Sequence, residues 1–132
     1  MNKASARKKV MKEMKDIFYG DIDDDKYIDW MGNLIDNENY PTYHHIEKRE
    51  DLIKDGKDIE ASLENGAYLG IISHQYLHEI EKINIDLYYS WNKLFRVIND
   101  RRSYLDNDVL NMINNLKKLS LEITNNDNKK TK

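Results

Sequence analysis

The sequence predicts an α+β domain that is mainly helical, with one small two-stranded element near its middle. Three observations predict it. Apolar residues recur at 3- and 4-residue spacing along most of the chain. Two short runs rich in β-branched and aromatic residues, at 42–46 and 66–72, interrupt that period. One proline and five glycines among 132 residues argue against a sandwich of many tightly turned strands.

A first helix is expected over 5–18, with Val10, Met11, Met14, Ile17 and Phe18 at helical spacing and Gly20 ending it. Asp21 to Asp25 supply a turn and N-cap candidates, and Tyr27, Ile28, Met31, Leu34 and Ile35 form a second, short apolar stripe. Helices are therefore expected to fill 5–35. Pro41 then disfavours helix at the residue before it. The run 42–46 reads as a strand, the polar stretch 47–64 with Gly56 as an extended loop or distorted hairpin, and 66–72 as the second strand. Ser73 is the N-cap candidate for a helix beginning at His74, whose buried face is Tyr76, Leu77, Ile80 and Ile83. Asn84 and Asp86 suggest a kink or restart before Leu87, Trp91, Leu94, Phe95 and Ile98. Ser103 and Asp106 can cap a last helix carrying Val109, Leu110, Ile113, Leu116 and Ile123. The chain reads as one domain over 1–124, with helices 5–35 and 84–124 flanking a core at about 40–83. The polar, lysine-rich stretch 125–132 is expected to be disordered.

Charged residues make up 34% of the chain, and no apolar run is long enough to span a membrane. The basic start has no apolar stretch behind it and is not expected to be a secretory signal. Without cysteine there is no disulfide framework, zinc ribbon or thiol chemistry, which suits the reducing cytoplasm expected for this protein. The abundance of Asn, Lys, Ile, Asp and Tyr suggests an AT-rich source, such as a low-GC bacterium or its phages and mobile elements. The net charge of −3 is unevenly laid out, with +5 over 1–15, −7 over 16–40 and −1 beyond. The cluster from Arg7 to Lys15 reads first as a solvated helix face and second as a DNA-binding arm. The aromatic side chains of Trp30, Trp91 and Phe95 read as core.

All four histidines fall in two tight pairs, His44-His45 and His74 with His78. Residues i and i+4 share a helix face, so two imidazoles at 74 and 78 can converge on one ion. Neighbours on a strand point to opposite sides, so His44 and His45 are not expected to hold the same ion. One can complete a three-histidine site while the other stays free as a base. Three neutral imidazoles leave a divalent ion its full charge and an open position, which suits it to polarising a phosphate oxygen. A free imidazole titrates near pH 6.5 and can take a proton from water at neutral pH.

His44-His45-Ile46, then Glu64-Asn65-Gly66-Ala67-Tyr68-Leu69, then His74-Gln75-Tyr76-Leu77-His78 resembles the HNH nuclease motif of the ββα-metal (His-Me finger) superfamily. It is similar above all to the branch whose metal ligands are all histidine, as in bacterial DNase colicins. The resemblance spans Tyr43 to His78, and its strand, loop, strand and helix match the order read from the residues alone. It implies a metal-dependent DNA endonuclease in which His44, His74 and His78 hold one divalent ion (Zn, Ni, Mn or Mg). It further implies that His45 is the general base and that Asn65 ties the loop and holds that base in position. Lys48 and Arg49 are candidate phosphate contacts, with an exposed salt bridge to a loop acid as the equal alternative. The sequence lacks the paired cysteines that brace many members of the family. Its loop also carries Glu47, Glu50, Asp51, Asp55 and Asp58, which disfavour DNA or mark a protein partner for the acidic surface. The alternative function is a non-catalytic binding protein on the same scaffold, such as an inhibitor of a host defence nuclease of the anti-CRISPR or anti-restriction type.

Overall fold

The computed structural model describes residues 3–48, 61–102 and 105–130. The fold is α+β and mainly helical, with four α-helices and one two-stranded antiparallel sheet among those residues. Helix α1 (Lys3–Phe18) ends where Gly20 takes a φ of +54°, and the amides of Tyr19 and Gly20 both donate to the Lys15 carbonyl. Strand β1 (Pro41–His45) pairs with β2 (Gly66–Gly70) in a register that sets His44 opposite Ala67 and His45 opposite Gly66. Helix α2 (Ile71–Ile83) follows β2 without a linker, then α3 (Ile85–Arg101) and α4 (Asn107–Lys130). Asn84 makes the restart expected between α2 and α3: its amide closes α2 onto the Ile80 carbonyl, and its side chain accepts from the Leu87 amide.

The stripe at 27–35 does not form a helix. A single 3-10 turn (Asp24–Lys26) is followed by a tight loop, with an isolated bridge between Ile28 and Leu34. Asp29 is the physical reason. Its fully buried carboxylate accepts the amides of Met31 and Asn33 at 3.0 Å each, capturing donors that a helix would use. Gly32, at a φ of +82°, completes the turn. The other Asp29 oxygen accepts the Gly70 amide at 3.0 Å, which pins this loop to the end of β2.

The N-terminus of α2 also differs from expectation. The helix begins at Ile71, and Ser73 lies buried inside it, accepting from the Asn33 side chain. The cap comes from Asn39, whose Oδ1 accepts the Ile72 amide at 2.9 Å while its Nδ2 donates to the Leu34 carbonyl. Asn39 occupies the space a Cβ at position 70 would need, so only glycine fits there. Helix α4 runs on to Lys130, past Asn125 where the polar composition alone would end the ordered chain. Neither Gly nor Pro lies between 107 and 130 to stop it. Ser103, Gly56 and the loop acids Glu50, Asp51, Asp55 and Asp58 lie outside the described residues.

The core gathers Met14 and Phe18 of α1, Trp30 of the loop after the 3-10 turn, Tyr68 and Leu69 of β2, Leu77 and Ile80 of α2, Trp91 and Phe95 of α3, and Ile113 of α4. Trp30, Trp91 and Phe95 are core residues, as the sequence indicated. No helix among the described residues is long and apolar enough to cross a membrane.

Candidate metal centre

The ladder and the direct junction of β2 with α2 bring the two histidine pairs together. His74 lies in the first turn of α2 and His78 one turn further on, on the side that faces β1. His44, at the end of β1, is buried against them. One nitrogen from each of His44, His74 and His78 lies within 4.8 Å of the others, close enough for the three to hold a metal ion. The ring centroids are 5.2 Å apart for His44 and His74, 6.0 Å for His44 and His78, and 4.9 Å for His74 and His78.

The surrounding hydrogen bonds decide which nitrogens are bare. Asn92 of α3 donates its Nδ2 to the Tyr88 carbonyl, so its Oδ1 accepts from His44 Nε2 at 2.7 Å. The Thr42 hydroxyl donates its one proton to the Leu69 carbonyl, so its oxygen accepts from His74 Nδ1 at 2.9 Å. Glu81 accepts from His78 Nδ1 at 3.2 Å. Each ring therefore has one nitrogen occupied by an oxygen acceptor, so Nδ1 of His44 and Nε2 of His74 and His78 are the nitrogens left to face an ion. This is the arrangement that fixes tautomer and orientation in histidine metal ligands. Burial lowers the His44 pKa to about 3, with the three other histidines adding to the shift and the Asn92 hydrogen bond opposing it. Burial, then the charges of His78, His45 and Arg7, lower His74 to about 4. Both rings are neutral at pH 7, as metal ligands must be. The donor set fits a divalent ion.

A cleft of about 390 Å³ opens onto these rings, and His45 shares it with His44, His74, His78 and Arg7 of α1. His45 is not among the three clustered residues; its ring meets that of Tyr43 edge-on at 4.8 Å. Asn65 lies at the foot of β2. Its Oδ1 accepts the Glu47 amide at 2.8 Å and its Nδ2 donates to the Glu47 carbonyl at 3.0 Å, while its own carbonyl accepts the Ile46 amide. Three hydrogen bonds thus fix the two residues that follow His45. Lys48 reaches the cleft paired with Glu81, so a salt bridge ties the side chain to α2. Glu81 takes both Lys48 and His78, and these two outweigh its partial burial to hold its carboxyl below the usual range. Arg49 lies outside the described residues.

Asn92, Thr42 and Glu81 escaped sequence reasoning, and Arg7 reads there only as part of a basic cluster, without its place beside the histidines. Asn92 carried a signal: it interrupts the stripe Tyr88, Phe95 and Asn99 on the inward side of α3, where a polar group requires a buried partner. Asn99 obeys the same rule, donating to the Leu63 and Gly66 carbonyls at the base of β2. Comparison with protein-family models, with curated proteins and with solved structures finds no significant match. What can be said of the site comes from its own chemistry: an α+β scaffold presenting three clustered imidazoles and a fourth histidine in one cleft.

Proposed function

We propose that the chain is a metal-dependent endonuclease of the HNH type that hydrolyses DNA phosphodiester bonds, with β1, β2 and α2 serving as a ββα-metal unit. The observation that carries this reading is the gathering of His44, His74 and His78 beside a cleft whose wall also holds His45. His44 through Nδ1, and His74 and His78 through Nε2, would hold one divalent ion. Imidazole ligands suit Zn, Ni or Mn, and Mg where the substrate adds oxygen ligands. When bound, such an ion supplies Lewis-acid stabilisation of the charge on the phosphate and the leaving oxygen.

The remaining steps belong to the protein. His45 takes a proton from water as the water oxygen attacks phosphorus. The bond to the 3′ oxygen breaks on the opposite side, that oxygen gains a proton from solvent, and His45 later releases its own. Asn65 positions the base by holding the backbone of Glu47 at both its amide and its carbonyl. A Lys48 contact to phosphate requires release from Glu81.

Supercoiled plasmid tests the reading. Wild type is expected to nick it with at least one of Mg, Mn, Ni or Zn and to stop when a chelator is added. His45→Ala is expected to retain its metal and lose at least about 100-fold in rate, the usual range for removal of a general base. Absence of nicking in every metal, together with tight binding to a nuclease, would replace this reading with the non-catalytic inhibitor.

A further inference from the structure

The chemistry above leaves the basic face of α1 without a role. Arg7, Met11, Met14 and Phe18 fall on one stripe of this helix at 4-, 3- and 4-residue spacing. Met14 and Phe18 are buried in the core and Met11 packs against it, so this stripe seats the helix. Arg7 is carried on the same stripe into the wall of the histidine cleft. About a quarter-turn round, Lys8, Lys12 and Lys15 form a second, exposed stripe. With Lys9 and Tyr68 they line another depression along the same helix. Glu13 is the only acid among residues 1–15.

We infer that α1 is a backbone-tracking surface for duplex DNA, on which Arg7 contacts phosphate at the histidine cleft and Lys8, Lys12 and Lys15 follow successive phosphates away from it. The choice of polyanion rests on the nuclease reading. From Arg7 to Lys15 the helix rises about 12 Å, the axial length of three to four phosphates of one strand. A lipid surface is the poorer partner. Interfacial helices bury a free apolar face, and the apolar side of α1 is already spent on the core. An acidic protein would satisfy the lysines, but it gives no reason for Arg7 to join the same helix to the cleft.

Fluorescence anisotropy on a labelled 20-base-pair duplex, in chelator and across a salt series, tests this without any need for cleavage. The full-length K8Q/K12Q/K15Q variant is expected to bind at least ten-fold more weakly at 100 mM salt. Its plot of log affinity against log salt should be shallower by about 2.7, since each of the three phosphates no longer neutralised accounts for about 0.9. A charge-matched variant on other elements, K26Q/K93Q/K118Q, is expected to keep the wild-type slope within about half a unit, and melting curves report that both variants are folded. Equal slopes for the two variants, no change in either, or no duplex binding by wild type would overturn the inference. So would equal binding to anionic vesicles with the same lysine dependence. If no metal supports nicking while the slope difference persists, the surface stands and the nuclease reading falls.

Discussion

Asn92 lies 48 positions from His44 in sequence and 2.7 Å from its ring. No spacing rule reaches that far, yet this side chain decides which nitrogen of His44 is free. Asn92→Ala removes the acceptor and releases the tautomer, so metal affinity is expected to fall about 10- to 100-fold, the range for removal of an outer partner. Competition against a chromophoric chelator measures it. The same burial that keeps His44 and His74 neutral makes the metal-free fold sensitive to acid. Their pKa values of about 3 and about 4 lie below the value of about 6.5 expected in the unfolded chain. Between those limits the unfolded chain binds more protons, so stability falls as the pH drops from 6.5 towards 4 and is level above 6.5. Each histidine contributes up to about 1.4 kcal/mol per pH unit inside that window. Urea melts of metal-free protein at pH 4.5, 5.5 and 7 check this, and His44→Asn should flatten the trend by its share.

At the scale of elements, regular periodicity was legible and side-chain capture was not. Helix α1, both strands and the restart at Asn84 follow from spacing and from local stop signals. The helix expected over 27–35 fails because one carboxylate, Asp29, out-competes the helical ladder. The same carboxylate also takes the Gly70 amide, 41 residues away. Ser73 lost the cap of α2 to Asn39 for the same reason: a distant loop delivers a better acceptor. These interactions are tertiary, and a stretch of apolar spacing cannot announce them. Asp29→Asn tests the origin of the loop. The amide Nδ2 cannot accept from Gly70, which leaves a buried donor unpaired, so chemical denaturation should show a loss of about 1–3 kcal/mol. Burial raises the pKa of Asp29 despite its hydrogen bonds, so the carboxylate is held at some cost. A stability unchanged in Asp29→Asn would mean that the loop is fixed by Trp30 and Met31 packing alone.

Across the whole molecule, the histidine cleft sits where β1, α1, α2 and α3 meet, and each contributes to it. The strand brings His44 and His45, α2 brings His74 and His78, α3 brings Asn92 and Tyr88, and α1 brings Arg7. The i, i+4 spacing and the strand pair were readable in the sequence. That the flanking helices wrap the same site was not, because no local pattern encodes which helix faces which. The absence of cysteine is met by this packing: Trp91 locks α3 to α4 through its bond to Ser120, and Asn99 ties α3 to the base of the hairpin. The proposed function therefore turns on a division of labour among four imidazoles, in which three would hold the ion and one would take the proton. Calorimetric titration of Zn or Ni into wild type and the four single His→Ala variants measures that division most directly. Wild type should bind one ion per chain, with affinity falling at least about 100-fold in His44→Ala, His74→Ala and His78→Ala and kept within about three-fold in His45→Ala. Loss of binding in His45→Ala equal to that in the other three, or no binding by wild type, would contradict it.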